Sequence, residues 1–171
     1  WSIKGWLRVS TKASFDFSGG GASFDMDLSA AHNGVNNNVY VTYPYEENCG
    51  LKCYCDSGGN HDSQGRGCAE MDWTENNGHC YSATTWHDAS DGSAGPGYGE
   101  HTNLNGGTNS YSAAYSADGA HATITVNGHT MSGPGHTGDM KSRGAVIYSS
   151  QWTGWVPGDW CGGGDRDSSV Y

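Results

Sequence analysis

The chain has 171 residues, 28 of them Gly, with 7 Trp, 10 Tyr and only 15% charged residues, which is room for one domain (1–171) and one sizeable core. Eighteen Asp and Glu against eight Lys and Arg give a formal net charge of −10, so a phosphate backbone is repelled, and no basic stripe invites nucleic acid. Long apolar periodic runs are missing, which excludes a helix bundle, and nothing approaches the length of a membrane span.

No basic stretch followed by an apolar one stands at the start, so a signal peptide is expected to be absent or already removed. Short alternating segments then recur between Gly, Asn and Asp clusters. "SFDMDLS" (23–29) puts Phe24, Met26 and Leu28 on one face. "NVYVTY" (38–43) sets Val39, Val41 and Tyr43 against Tyr40 and Thr42. "CAEMDWTENN" (68–77) reads as a strand with Met71 and Trp73 opposite its acids. "HDASDGSAGPGYGE" (87–100) is loop by composition. "SYSAAYS" (110–116) groups Tyr111, Ala113 and Tyr115. "HATITV" (121–126) follows the turn signal "ADG", and the next pair, Asn127-Gly128, supplies the positive φ angles of a type I′ hairpin turn. "GAVIYSSQW" (144–152) lines up Val146, Tyr148, Ser150 and Trp152. Together these predict an all-β sandwich of antiparallel strands.

Six cysteines, Cys49, Cys53, Cys55, Cys68, Cys80 and Cys161, form an even set in a Lys-poor chain. That favours disulfides and an oxidising, extracellular compartment, with 15 pairings open. A zinc site at "CGLKCYC" lacks a second spaced pair, so no metal is expected.

The strand at 68–77 holds Glu70, Asp72 and Glu75 within six positions. Strand alternation points Glu70 and Asp72 the same way and Glu75 the other way. One extra residue between Asp72 and Glu75, a β-bulge, returns Glu75 to the first face. Two carboxyls facing each other across a sugar are the apparatus of glycoside hydrolysis. A third, between them, keeps their pKa values apart. A calcium reading is weaker, because the Gly-containing loop pattern is missing. Tyr40, Trp152 and Trp160 are candidates for flat rings on which pyranose faces stack. For any single aromatic the default is core.

"AEMDWTE" (69–75) resembles the Glu-x-Asp-x-x-Glu strand of glycoside hydrolase family 7, and family 16 β-glucanases carry a similar one. "FDMDLSAAHNGVNNNVYV" (24–41) is similar to that family's paired strands before the cleft, matching Asn36 and Tyr40. "YCDS" (54–57) looks like its turn beside the catalytic strand, bringing in Asp56 and Ser57. "SATTWH" (82–87) resembles the segment that carries a His to the acid/base, matching His87 with one residue inserted. "GAVIYSSQWTGWVPGDW" (144–160) is similar to the strand with cleft tryptophans, matching Trp152 and Trp160.

The resemblance implies a jelly-roll sandwich of two curved antiparallel sheets with a concave substrate groove. It implies retaining hydrolysis of a β-linked glucan, with Glu70 as nucleophile, Asp72 as its assistant and Glu75 as general acid/base. Asn36, Tyr40, Asp56, Ser57, His87, Trp152 and Trp160 are then substrate-site candidates. The chain is short for that family, so an open groove and endo cleavage are expected. A polysaccharide partner, a monomer and no cofactor follow. Chitosan is an additional substrate option for a protein of charge −10. A polysaccharide lyase and a non-catalytic carbohydrate-binding protein are the competing readings.

Overall fold

The computed structural model describes residues 7–29, 31, 35–46, 54–78, 80–87, 98–136 and 139–152. Among them run β1 (Leu7–Ser10), β2 (Gly21–Asp27), β3 (Asn36–Thr42), β4 (Glu70–Asn76), β5 (Tyr81–His87), β6 (Tyr98–Asn103), β7 (Thr108–Tyr115), β8 (His121–Val126), β9 (His129–Pro134), the short helix α1 (Asp139–Arg143) and β10 (Val146–Trp152). The strands form two antiparallel sheets, in the orders β1-β10-β3-β4-β5-β6 and β2-β7-β8-β9. The architecture is the antiparallel sandwich expected from the alternating segments and the jelly roll that the family resemblance implied.

The core fills the space between the sheets. Phe24 and Met26 of β2, Tyr111, Ala113 and Tyr115 of β7, and Ala122, Ile124 and Val126 of β8 face Val39, Val41, Met71, Trp73 and Trp86 of the larger sheet. Strands β2, β7 and β8 of the smaller sheet each contribute every second residue, which is why their buried sets were readable from alternation. The β8–β9 turn has φ of 48° at Asn127 and 87° at Gly128, the type I′ pattern. Gly133 on β9 lies so close to Trp86 that a Cβ there would come within 2.7 Å of the indole ring.

Composition misplaced one boundary. The stretch 87–100 is not all loop: His87 closes β5, and Tyr98, Gly99 and Glu100 open β6, with Tyr98 opposite Trp86. Pairing with β5 overrides the Gly-rich local preference. Residues 88–97 lie outside the described set.

The bulge expected in β4 is present. Relative to β5, Asp72 pairs with Thr85 but Glu75 pairs with Ala83, so three steps on β4 match two on β5. Relative to β3, Asp72 opposes Tyr40 and Thr74 opposes Val39. Two successive side chains, Trp73 and Thr74, therefore both turn into the core, and Glu75 returns to the face of Glu70 and Asp72. Both core residues are anchored. The Trp73 indole N–H donates to the Tyr115 hydroxyl at 3.0 Å, and Thr74 Oγ1 lies 2.8 Å from Ser82 Oγ. The Trp73 carbonyl accepts from Thr84 Oγ1 at 3.1 Å.

Thr84→Val keeps the shape of the side chain and removes that donor. It is expected to destabilise the protein by about 1–3 kcal/mol, the cost of a buried acceptor left unmade, as read from urea denaturation.

Candidate active site

Glu70, Asp72 and Glu75 occupy the face of the six-stranded sheet turned away from the core. The registers place Asn36, Asn38 and Tyr40 of β3, Tyr148, Ser150 and Trp152 of β10, and Tyr81, Ala83, Thr85 and His87 of β5 on the same face.

A turn docks against the start of β4. Cys55 and Cys68 form a disulfide with Cα atoms 5.3 Å apart, tying residues 54–57 to the entry of the strand. A loop of this length stabilises by about 3 kcal/mol in the chain-entropy picture. Within the turn Asp56 Oδ1 accepts from the backbone N–H groups of Gly58 and Asn60 at 2.9 Å each, and Oδ2 accepts from Tyr54 at 2.8 Å. Asp56 thus holds the turn in shape from inside. The turn aims Ser57 at Glu70: its N–H and its Oγ donate to Oε2 at 2.9 and 2.6 Å.

Asp72 is 4% exposed, and its Oδ2 lies 3.6 Å from His87 Nε2. The sequence match put His87 at the acid/base. Instead, His87 pairs with Glu70 in the ladder and reaches Asp72, the middle acid of the trio. Glu75 pairs with Ala83, four positions along β5 from His87, which keeps the imidazole at the Glu70 end. Asn36, fully buried, donates from Nδ2 to Glu75 Oε1 at 3.2 Å.

Tyr40 lies on the acid face but is 3% exposed. It stacks on Tyr148 at 5.3 Å and donates to the Tyr54 hydroxyl at 3.0 Å, while Tyr54 donates to Asp56. A sugar therefore does not stack on Tyr40 in this arrangement. Its ring is a support beneath the acids. Trp152 is half-buried at the end of β10; with the Asn38 amide oxygen turned toward it, its indole N–H donates at 2.7 Å. Trp160, Cys49, Cys53 and Cys161 lie outside the described residues.

Sequence reasoning missed three contributors. Tyr54 gave no alternation signal. Arg8, from edge strand β1, sits 3.5 Å above the Tyr54 ring centroid, a pairing made by tertiary contact alone. Thr84 carries no signal within "SATTWH" that separates it from Thr85.

Burial sets the electrostatics. It pushes the Glu70 carboxyl up, opposed by the two Ser57 hydrogen bonds. Asp72 rises well above the usual carboxylate range, through burial first, then the charges of Glu70 and Glu75, and a hydrogen bond in which the protonated Asp72 donates to Glu70. Burial raises Glu75 to about 7, against the lowering effect of the Asn36 hydrogen bond and with a further rise from Glu70. Burial thus works against charge on all three acids, and Glu75 holds a proton up to about pH 7. The two Ser57 hydrogen bonds favour the ionised form of Glu70 against that burial.

No family model and no curated protein matches the sequence. Solved structures do match the fold. The native endocellulase of Humicola insolens superposes with a TM-score of 0.61 at 17% identity, over 92% of this chain and 64% of that one. A family 7 cellobiohydrolase from Daphnia pulex gives 0.56 at 14% identity, over 83% and 59%. A LamA variant from Zobellia galactanivorans, in complex with laminaritriose and laminaritetraose, gives 0.56 at 14% identity, over 88% and 61%. The chain has the fold these family 7 and laminarin-bound structures share, and it spans roughly three-fifths of their length.

A raised carboxylate pKa makes stability fall with rising pH. The native protein holds a proton on Glu75 that the unfolded chain, near 4.5, has released. The contribution of Glu75 to stability is expected to decline from about pH 4.5 to about 7 and then level off. Glu75→Gln should exceed wild type by on the order of 1–3 kcal/mol at pH 8 and match it near pH 4, as measured by urea denaturation at both pH values.

Proposed function

We propose that this chain is a secreted, endo-acting glycoside hydrolase that cleaves a β-linked glucan with retention. A β-1,4 or mixed-linkage glucan is the leading substrate. The observation that carries the reading is the bulge-aligned acid trio, with two Ser57 hydrogen bonds on Glu70 and the Glu75 carboxyl raised to about 7. Two carboxyls pushed into different protonation states at one pH are what a nucleophile and a general acid require. The fold match to an endocellulase and to a laminarin-bound enzyme supports a β-glucan as substrate. The Cys55–Cys68 disulfide supports an oxidising compartment.

Glu70 attacks the anomeric carbon while Glu75 gives its proton to the departing glycosidic oxygen. Glu75, now ionised, takes a proton from water, which attacks the glycosyl ester and frees Glu70. Ser57 and Asp72 orient the attacking oxygen and receive its charge back when the ester breaks. They are positioning residues for Glu70, as Asn36 is for Glu75.

Reducing-end release from carboxymethyl-cellulose, mixed-linkage β-glucan, β-1,3-glucan, xylan, chitosan and alginate tests the reading. Wild type should release ends from a β-glucan, and Glu70→Gln should release none. Folded, inactive wild type that still binds glucan would favour a lectin-like role. Ultraviolet absorbance growing with new ends would indicate a lyase.

The basic limb of the kcat/KM profile should fall at about pH 7, where Glu75 loses its proton. Glu75→Gln should remove that limb and lower kcat by roughly 10²–10⁴ on the polymer. Ser57→Ala takes one of the two Ser57 bonds from Glu70 and should move the acidic limb upward by about one unit. Both shifts are read from kcat/KM between pH 3 and 9 (about the range of carboxylate titration here).

A further inference from the structure

The two sides of the acid strand are unlike. On the β3–β10 side, Asp72 faces Tyr40, which faces Tyr148, and Glu75 faces Asn38; all three neighbours are buried. That half is filled by packed side chains. On the β5–β6 side, Asp72 faces Thr85 and then Gly99, and Glu75 faces Ala83 and then His101. Small residues floor this half next to the acids.

Beyond Ala83 stands an aromatic pair. Tyr81 lies two positions from Ala83 on the same face of β5, and its ring stacks on His101 of β6 with centroids 5.2 Å apart and planes 20° apart. His101 is exposed and Tyr81 is partly so. Neither ring belongs to the core, nor to the aromatic cluster around Tyr40. Two stacked, near-parallel rings at the edge of a small-residue floor offer, on the outer face of the stack, what a pyranose ring packs on, a flat apolar surface with polar edges.

Resting on the hydrolase reading, we infer that Tyr81 and His101 together form the platform for the leaving-group sugar. Glu75 delivers its proton to the glycosidic oxygen, so the departing sugar lies on the Glu75 side of the cleaved bond. Glu70, at the other end of the trio, is flanked by the Ser57 turn and His87. The methyl of Ala83 leaves the way open from Glu75 to the pair, and no described side chain of β5 or β6 separates them.

The test compares kcat/KM on soluble mixed-linkage β-glucan with that on β-cellobiosyl fluoride, whose leaving group is one atom and needs no sugar platform. Wild type runs beside Tyr81→Ala, His101→Ala and His101→Phe. Each alanine variant is expected to lose roughly tenfold more on the polysaccharide than on the fluoride. His101→Phe, which keeps a flat ring, should recover most of the loss. His101 is exposed, so its variants retain the fold, and circular dichroism checks this. Equal losses on the two substrates, or no loss on the polysaccharide, would overturn the platform while leaving the hydrolase intact. Wild type inactive on both would overturn the hydrolase reading and the platform with it.

Discussion

One extra residue in β4 holds the site together. Strand alternation has period two, and three positions separate Asp72 from Glu75. In a regular strand Glu75 would point into the space between the sheets, where an unpaired carboxylate costs several kcal/mol. The bulge avoids this by sending Trp73 and Thr74 inward together. The smaller sheet accommodates both: Tyr115 accepts from the indole, and Phe17 and Phe24 pack on its ring at 5.5 and 6.2 Å. Thr84 takes up the Trp73 carbonyl that the irregular ladder leaves over. The packing that stabilises the sandwich is thus the same packing that sets three acids in a row on its other face.

The acids sit on a prepared surface. Beneath and beside them run Tyr40 and Tyr54, joined through their hydroxyls to Asp56, and Tyr148, whose ring packs on both, with Arg8 covering the Tyr54 ring. This layer excludes water from one flank of the trio. Exclusion of water is the first cause of every upward pKa shift in the trio. The shifts are a cost to folding at neutral pH and a requirement for acid–base work there. Fixed donors then sort the protons. Ser57, held by its disulfide-tethered turn, favours the ionised form of Glu70 through two hydrogen bonds, while burial and the neighbouring glutamates hold Asp72 toward its protonated form.

A sandwich with one face given to its core and the other to chemistry also explains the unusual aromatic content. One set of rings, including Trp73, Trp86, Tyr111 and Tyr115, fills the space between the sheets. A second, smaller set supports the acids from the outside. The Tyr81–His101 pair belongs to neither and remains at the surface.

Much of this was legible in the residues. Alternation located β2, β3, β7, β8 and β10, because period two survives in the sequence of each, even in β3, which is buried on both faces. The odd spacing of Asp72 and Glu75 was enough to require a bulge, since acids meant for one face cannot be three positions apart in a regular strand. Asn127-Gly128 declared its turn through the backbone angles it tolerates. By itself, then, the sequence determined the layered fold and the common face of Glu70 and Asp72, because both follow from local periodicity, and it made Glu75's place on that face depend on a bulge. Only the tertiary structure decided what surrounds them. That Tyr40 is a buried support, that His87 serves the Asp72 end, that Asp56 shapes a turn, and that β1 and β6 complete the sheet all depend on contacts between residues distant in the chain. Local patterning carries no record of such contacts, since they arise from which strands pair and in what register.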